Sequence, residues 1–237
     1  TAAAVLLFIL GAAGYRALDL HNQKDAYSEV VSPYGHKTMV LLSDSSIVWL
    51  NGNSKLKYKT DFSRGRVVAL EGEALFDIRK QKKNLFTVNS GALRIEVYGT
   101  RFNLRSYPKD DEIEVALVKG SVGVFKDQQH LKTMKPGEVI TYLPVQNKIL
   151  KNHGKIDQIV SWQSGELIIN NKSIDEVFGY LERWYGVKIE FSEELLNGHQ
   201  LSFKVKAESL RELLSIINKI TPIRYTIDGE KVVVTKP

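Results

Sequence analysis

Glu71 and Glu73 are the residues of this sequence whose types and spacing come closest to a catalytic arrangement. Two carboxylates two residues apart share one face of a β-strand, and paired carboxylates can hydrolyse glycosidic bonds. The Gly72 between them favours a turn or a bulge instead. We therefore expect no glycosidase, and the chain is predicted not to be an enzyme.

Metal and cofactor chemistry have no better support in the sequence. The histidines, which show no metal-binding spacing such as i and i+4 on a helix, are His21, His36, His130, His153 and His199. There is no cysteine, which excludes disulfides and thiolate metal sites. No glycine-rich phosphate loop is present. We expect neither a metal nor a cofactor.

The composition is that of a globular protein with a core, because 43% of the residues are hydrophobic and 25% are charged. The net charge of +6 alone would permit nucleic acid or anionic lipid as a partner. Lysine and arginine are spread along the chain, however, and the densest cluster, Lys80, Lys82 and Lys83, is typical of a solvated turn. No direct contact with nucleic acid is expected.

The first residues form an uncharged apolar run, TAAAVLLFILGAAGY, which ends before Arg16. A full membrane span needs about 20 apolar residues. We interpret residues 1–18 as part of a transmembrane helix that begins upstream, followed by a linker over residues 19–28. A buried core helix or the remnant of a signal sequence remains an alternative.

Short apolar alternations separated by turn signals fill residues 29–150. They include MVLL at 39–42, IVWL at 47–50, LRIEV at 93–97 and IEVAL at 113–117, with breaks such as NGN at 51–53 and PG at 136–137. Many short strands at close spacing predict an antiparallel sandwich or barrel. No helix is expected in this stretch.

After a predicted linker at 151–163, the tail at 164–237 contains two segments that match at an offset of 36 residues. Ser173 and Ser209 each precede a glutamate by three residues, a capping box that starts a helix. Apolar positions at helical spacing follow both serines, and an alternating strand follows each helix. The tail is predicted to be a duplicated strand–helix–strand unit with an added strand at 231–235.

Five short motifs now suggest a family. They are LSDSSIVWLN at 42–51, LEGEALF at 70–76, YGTRFN at 98–103, LVKGSV at 117–122 and KPGE at 135–138. In this order they resemble the FecR family of sigma-factor regulators. Trp162, Gly165 and LERWY at 181–185 resemble the C-terminal domain of Bacteroidetes-type members. Ser45 stands where the family favours glycine, which leaves a positive-φ turn there open.

The resemblance implies a fold and a function. The fold would be a jelly-roll-like β-sandwich followed by a small β-α-β repeat domain similar to the signalling domain of secretins and TonB-dependent receptors. The function would be that of a single-pass inner-membrane anti-sigma factor, with the bulk of this chain in the periplasm. Its partners would be the N-terminal signalling domain of a TonB-dependent outer-membrane receptor, for iron chelates or glycans, and an extracytoplasmic-function sigma factor. The sigma factor would bind a cytoplasmic segment absent from this chain.

Two sites follow from this resemblance. In some relatives the Gly–Thr bond of the matching motif breaks by self-cleavage, and here that bond joins Gly99 and Thr100. The Thr100 hydroxyl could attack the Gly99 carbonyl and shift the acyl group from nitrogen to oxygen, which breaks the peptide C–N bond and forms an ester. Water could then hydrolyse that ester. The alternative is that Gly99 relieves crowding and that Thr100 is an ordinary strand residue.

The second site is the last strand, which we expect at a sheet edge where a receptor strand could pair with it. Its residues are Lys231, Val232, Val233, Val234 and Thr235. The strand could instead complete the chain's own sheet, and the helix faces could then bind the receptor. A cell-envelope carbohydrate- or ligand-binding module is the alternative function, and a structural envelope protein is a third.

Overall fold

The computed structural model describes residue 11 and residues 26–63, 65–196, 200–206 and 209–237. The predicted membrane span at 1–18 therefore lies outside the described residues, apart from Gly11. No helix within the described ranges is both long and apolar enough to cross a membrane.

Residues 26–153 form the β region, in which every regular element that the structure describes is a strand. The strands are β1 (Tyr27–Ser32), β2 (Thr38–Leu41), β3 (Ile47–Leu50), β4 (Ser54–Lys59), β5 (Arg66–Asp77), β6 (Phe86–Ser90), β7 (Leu93–Val97), β8 (Arg101–Ser106), β9 (Ile113–Lys119), β10 (Val122–Lys126), β11 (Gln129–Met134), β12 (Glu138–Leu143) and β13 (Lys148–His153). β13 ends at His153, inside the segment 151–163 that was predicted to be a linker. The expectation of a mainly β chain is confirmed, while its jelly-roll description stays a prediction.

The thirteen strands form one curled sheet with two arms that share β5. The first arm has the order β1-β4-β5-β6-β7-β10-β11, and the second has the order β2-β3-β5-β8-β9-β12-β13. β5 changes arms at Gly72, because Glu71 pairs with Lys55 in the first arm and Gly72 pairs with Ser106 in the second. Gly72 has a φ of 104°, and a Cβ there would lie 2.7 Å from the Ser54 Cα. Glycine is therefore required where the strand bends between arms.

The core of the β region consists of inward-facing side chains from both arms. Phe76 on β5 stacks on Phe102 of β8 with ring centroids 4.9 Å apart, and Phe86 meets Phe76 edge-on. Arg66 is fully buried beside them, where its Nη1 donates to Asp44 Oδ2 at 2.9 Å. Aromatic rings dominate the apolar area that this core removes from water.

The C-terminal region, residues 154–237, adds helices and shorter strands. Its elements are α1 (Ile156–Ile159), a 3₁₀ helix (Ser161–Ser164), β14 (Glu166–Lys172), α2 (Ile174–Tyr185), β15 (Lys188–Phe191), a 3₁₀ helix (Glu193–Leu195), β16 (Leu201–Lys206), α3 (Leu210–Ile220), β17 (Arg224–Asp228) and β18 (Lys231–Thr235). A strand, a helix and a strand follow one another in β14-α2-β15 and in β16-α3-β17, and β18 comes last. That the tail is a duplicated unit stays a prediction.

The starts of α2 and α3 confirm the capping-box prediction. At α2 the N–H and the hydroxyl of Ser173 both donate to Glu176 Oε2. At α3 the Ser209 N–H donates to Glu212 Oε2, and the Glu212 N–H donates to Ser209 Oγ. These bonds satisfy backbone N–H groups that a helix start otherwise leaves unpaired. Gly186 ends α2 with a φ of 70°, as its position after the apolar pattern predicted.

The expected edge position of the last strand is wrong. β18 is the central strand of a three-stranded sheet, with β15 parallel on one side and β17 antiparallel on the other. Val232 and Val234 are fully buried beneath the helices, and the backbone groups of β18 pair with these two neighbours. Residues 231–235 therefore complete the chain's own sheet and offer no open edge to a receptor strand.

Candidate functional site

A row of polar side chains crosses the outer face of the second arm. Register places Glu73 of β5 beside Arg105 of β8, and Arg105 beside Glu114 of β9. Asn51 extends the row, because its N–H donates to the Glu73 carbonyl at 2.9 Å. Since alternate strand residues face opposite sides, the neighbours of these residues fill the core. The row itself faces the C-terminal region.

Glu73 is the centre of a hydrogen-bond network that joins the two regions. Its Oε2 accepts from Asn51 Nδ2 at 2.8 Å, and its Oε1 accepts from Asn103 Nδ2 at 2.9 Å. Asn103 Oδ1 in turn accepts from the indole Nε1 of Trp162 at 3.1 Å. The Glu73 side chain is almost fully buried, where a carboxylate needs such donors to offset its lost hydration.

The direction of each bond in this network is fixed. Asn51 Oδ1 already accepts from the Gly52 N–H at 2.9 Å, and Asn103 Oδ1 already accepts from Trp162. Both amides therefore turn their NH₂ groups toward Glu73, which must supply two acceptor oxygens. A carboxylate meets this requirement, and an amide side chain does not.

The backbones of the two regions touch at Gly52 and Arg183. A Cβ on Gly52 would lie 2.2 Å from the Arg183 carbonyl oxygen, and that oxygen accepts from the Gly35 N–H at 2.9 Å. Tyr107 Oη donates to the Gly52 carbonyl at 2.9 Å from the other side. Burial raises the pKa of Tyr107, so its hydroxyl stays protonated and able to donate. Only glycine permits this approach at position 52.

Ion pairs surround the contact. Arg183 Nη1 lies 3.3 Å from Asp110 Oδ1, and Arg105 pairs with both Asp110 and Glu112. Lys172 of β14 lies 3.5 Å from Glu112. The Arg183 guanidinium also lies over the Tyr107 ring, 4.3 Å from its centroid. Two of these ion pairs cross the interface, Arg183 with Asp110 and Lys172 with Glu112. Each joins a positive side chain of the C-terminal region to a negative side chain of the β region.

Trp184 closes the interface near the turn between β1 and β2. Lys37 Nζ lies 3.8 Å from the centroid of the Trp184 ring, a cation–π contact. Burial lowers the pKa of Lys37, while the nearby Glu73 carboxylate opposes this shift. Of the three tryptophans, Trp162 is buried, and Trp49 and Trp184 are partly buried.

Gly99 and Thr100 lie in the turn between β7 and β8, away from this interface. A Cβ on Gly99 would lie 2.4 Å from the Lys80 Cα, so the close backbone accounts for the glycine. Thr100 is buried, and its Oγ1 donates to the Ser121 carbonyl at 2.8 Å. Cleavage of their bond stays a prediction.

The sequence did not reveal this network as a site. Glu73 was considered only as half of a carboxylate pair with Glu71, and Asn51, Asn103 and Trp162 were considered only as parts of family motifs. The available signal was that each motif contributes one polar residue beside apolar strand positions. Which of them meet in space is not readable from that pattern.

Comparisons with known proteins agree with this two-region architecture. The family profile described as FecR protein matches residues 28–123, and the profile described as FecR, C-terminal, matches residues 166–234. The chain belongs to the FecR family. In this FecR-family chain the network connects the two matched segments, since Asn51, Glu73 and Asn103 lie in the first and Trp162 lies just before the second.

Solved structures resemble the chain over most of its length. Two crystal structures of a candidate anti-sigma factor from Parabacteroides distasonis ATCC 8503, at 2.50 Å and 1.65 Å, each have a TM-score of 0.82 and 27% identity to it. The first match covers 90% of this chain and 100% of that chain, and the second covers 89% and 99%. No curated protein matches the sequence.

Proposed function

We propose that this chain is the sensor part of a single-pass transmembrane anti-sigma factor, held in the inner membrane with residues 26–237 in the periplasm. It relays a signal from a TonB-dependent outer-membrane receptor to an extracytoplasmic-function sigma factor, which binds a cytoplasmic segment upstream of Thr1. The observation that supports this most is the presence of both FecR segments in one chain. The likeness to a candidate anti-sigma factor supports the same role.

The interface between the two regions suggests how such a relay works. The C-terminal region rests on the β region through a small number of polar contacts, including the bond from Trp162 to Asn103. A partner that binds the docked and undocked arrangements with different affinity shifts the balance between them. Receptor binding to the C-terminal region would in this way alter the β region, which is nearer to the proposed membrane span in sequence.

A reporter fusion tests the topology. Alkaline phosphatase fused after residue 25 of the full-length protein is expected to be active, because this enzyme requires the periplasm. A fusion of β-galactosidase at the same position is expected to be inactive. The reverse pattern would place the chain in the cytoplasm and would overturn the proposed relay.

Receptor binding is tested with isolated N-terminal signalling domains of TonB-dependent receptors from the same organism, by calorimetry against this chain. Arg211 and Lys219 are exposed on α3, so the double variant R211E/K219E is expected to weaken binding by about tenfold or more. The matched control K82E/K148E reverses two exposed charges on the β region.

Two results would contradict the receptor proposal. If none of the signalling domains binds the intact chain, the receptor is not the partner. If the control weakens binding more than R211E/K219E does, the contact lies on the β region. Truncation at Ser161 is a poorer test, because it removes Trp162 and exposes the polar row of the sheet.

A further inference from the structure

A cavity of about 400 Å³ lies between the β region and the C-terminal region. Its floor is the polar row of Glu73, Arg105 and Glu114, and its walls include the rings of Trp162, Tyr180 and Trp184. A volume of this size is typical of sites for small molecules, as is a position between two parts of a fold. Nothing in the proposed relay requires an open space here.

Among the residues that the structure describes, the cations that line this cavity form ion pairs, with one exception. Arg105 pairs with Asp110 and Glu112, Arg183 pairs with Asp110, and Lys172 pairs with Glu112. The exception is Lys155, which lies exposed at the edge of the cavity. The interior of the cavity therefore offers a ligand few uncommitted positive charges.

Glu114 differs from Glu73 and Glu166, the other acidic residues described in the lining of this cavity. It forms no hydrogen bond and no ion pair with the part of the chain that the structure describes, although it lines the cavity. Burial raises the pKa of Glu114, and the nearby carboxylates of Glu73 and Glu112 raise it further, against the opposing charges of Arg105 and Lys172. A partly buried carboxylate in the lining of a cavity would be stabilised by a hydrogen-bond donor that carries positive charge.

Glu73 adds acceptor capacity on the same floor. Each of its two oxygens accepts one hydrogen bond from an asparagine, and a carboxylate oxygen can accept two. Glu73 and Glu114 flank Arg105 in the strand register, so their backbones lie about 10 Å apart. The Arg105 guanidinium turns out of the row toward Glu112 and lies over the Tyr180 ring.

We infer that this cavity binds a small organic amine, whose ammonium group is held by Glu114 and whose aliphatic body packs against the aromatic walls. The rings add cation–π attraction to the contact between carboxylate and ammonium. An aliphatic diamine can place its second ammonium near Glu73. The ligand touches both regions and therefore stabilises their docked arrangement.

Calorimetry and thermal unfolding of the whole 237-residue chain with 1,5-diaminopentane test this inference. The matched probe is 1,5-pentanediol, which has the same length and no charge. Binding of the diamine is expected to saturate and to raise the melting temperature. Binding of the diol is expected to be at least about tenfold weaker, because it offers no charge to the carboxylates.

Two variants locate the binding. Glu114→Gln keeps the shape of the side chain and is expected to weaken diamine binding by about tenfold or more. Glu230→Gln removes one exposed carboxylate in the turn between β17 and β18 and is expected to leave binding unchanged. Equal binding of diamine and diol would overturn the inference, and so would wild-type affinity in Glu114→Gln. An equal loss in both variants would mean that the amine responds only to overall charge.

Discussion

The Arg183 carbonyl oxygen occupies the space that a side chain on Gly52 would need, since a Cβ there would come within 2.2 Å of it. This contact brings the backbone at the end of α2 against the turn after β3. The fit depends on the absence of a single methyl group. Docking of the two regions is therefore unusually sensitive to this position.

Gly52→Ala is expected to separate the two regions, because neither backbone can move away without breaking the bond from Gly35 to Arg183. Limited proteolysis should then cut the connecting segment at 154–165 faster, and small-angle scattering should show a larger radius of gyration. Gly179→Ala is the matched control in α2, where a Cβ would meet only the Arg183 side chain at 3.6 Å. The control should gain up to about 1 kcal/mol of stability from helix propensity. Equal proteolysis rates in the two variants would disprove the role of Gly52.

Glu73→Gln is expected to lower the free energy of unfolding by about 1–3 kcal/mol. The new NH₂ group would face the NH₂ of Asn51 or Asn103, and neither amide can turn over without losing its other bond. Glu114→Gln removes a carboxylate that has no partner among the described residues and should leave stability at pH 7 equal or higher. Urea unfolding of both variants measures the contrast. Similar losses of stability in the two variants would show that the network does not require a carboxylate at position 73.

Ser45→Gly is expected to stabilise the chain by about 0.5–1 kcal/mol. Ser45 has a φ of 65°, a conformation that costs a residue with a side chain about 1–2 kcal/mol. Part of this gain is offset by the greater freedom of glycine in the unfolded chain. Ser43→Gly lies in the same turn without a positive φ and should be destabilising. A thermal melt in which both variants shift in the same direction would refute the strain at Ser45.

Glu138→Gln is expected to make stability less dependent on pH. Bonds from Lys151 Nζ at 2.7 Å and from the Lys135 N–H at 2.8 Å hold the pKa of Glu138 at about 2. A carboxyl whose pKa is depressed on folding contributes stability above its unfolded pKa, and that contribution disappears as pH falls. The free energy of unfolding of the wild type should therefore exceed that of the variant at pH 7. This difference should disappear as the pH falls from about 4.5 to 2. Urea titrations at pH 7, 4 and 3 would show this, whereas a constant gap would contradict it.

For the bond between Gly99 and Thr100 we expect an intact chain. The Thr100 hydroxyl is engaged by the Ser121 carbonyl, and the close approach of Lys80 gives Gly99 a packing role. Wild type and Thr100→Ala should each give one band under denaturing conditions. Two fragments from the wild type, with none from Thr100→Ala, would establish self-cleavage instead.

Local backbone structure was predictable from the sequence. The capping boxes at Ser173 and Ser209 formed as expected, because each needs only residues within three positions of the serine. The strands of the β region followed from alternation of apolar and polar residues, which likewise acts over a few residues. The left-handed turn at Ser45, left open by its departure from glycine, is present.

Long-range placement was not predictable. The partners of Glu73 lie 22 and 30 residues away, and Trp162 lies 59 residues from Asn103. No periodicity links such distant positions. The prediction that the last strand lies at a sheet edge was wrong for a related reason. A terminal strand can insert between earlier strands, as β18 does between β15 and β17.

β5 is an interior strand of both arms and is the one strand that the two arms share among the described elements. Residues 66–71 of β5 pair with β4 and β6, and residues 72–77 pair with β8 and, in part, with β3. Because one continuous strand joins the two arms, we expect them to unfold as one cooperative unit. Amides of β5 should therefore exchange at the rate of global unfolding. A mechanical load applied where the chain enters at β1 would thus be shared with the far arm, on which the C-terminal region rests.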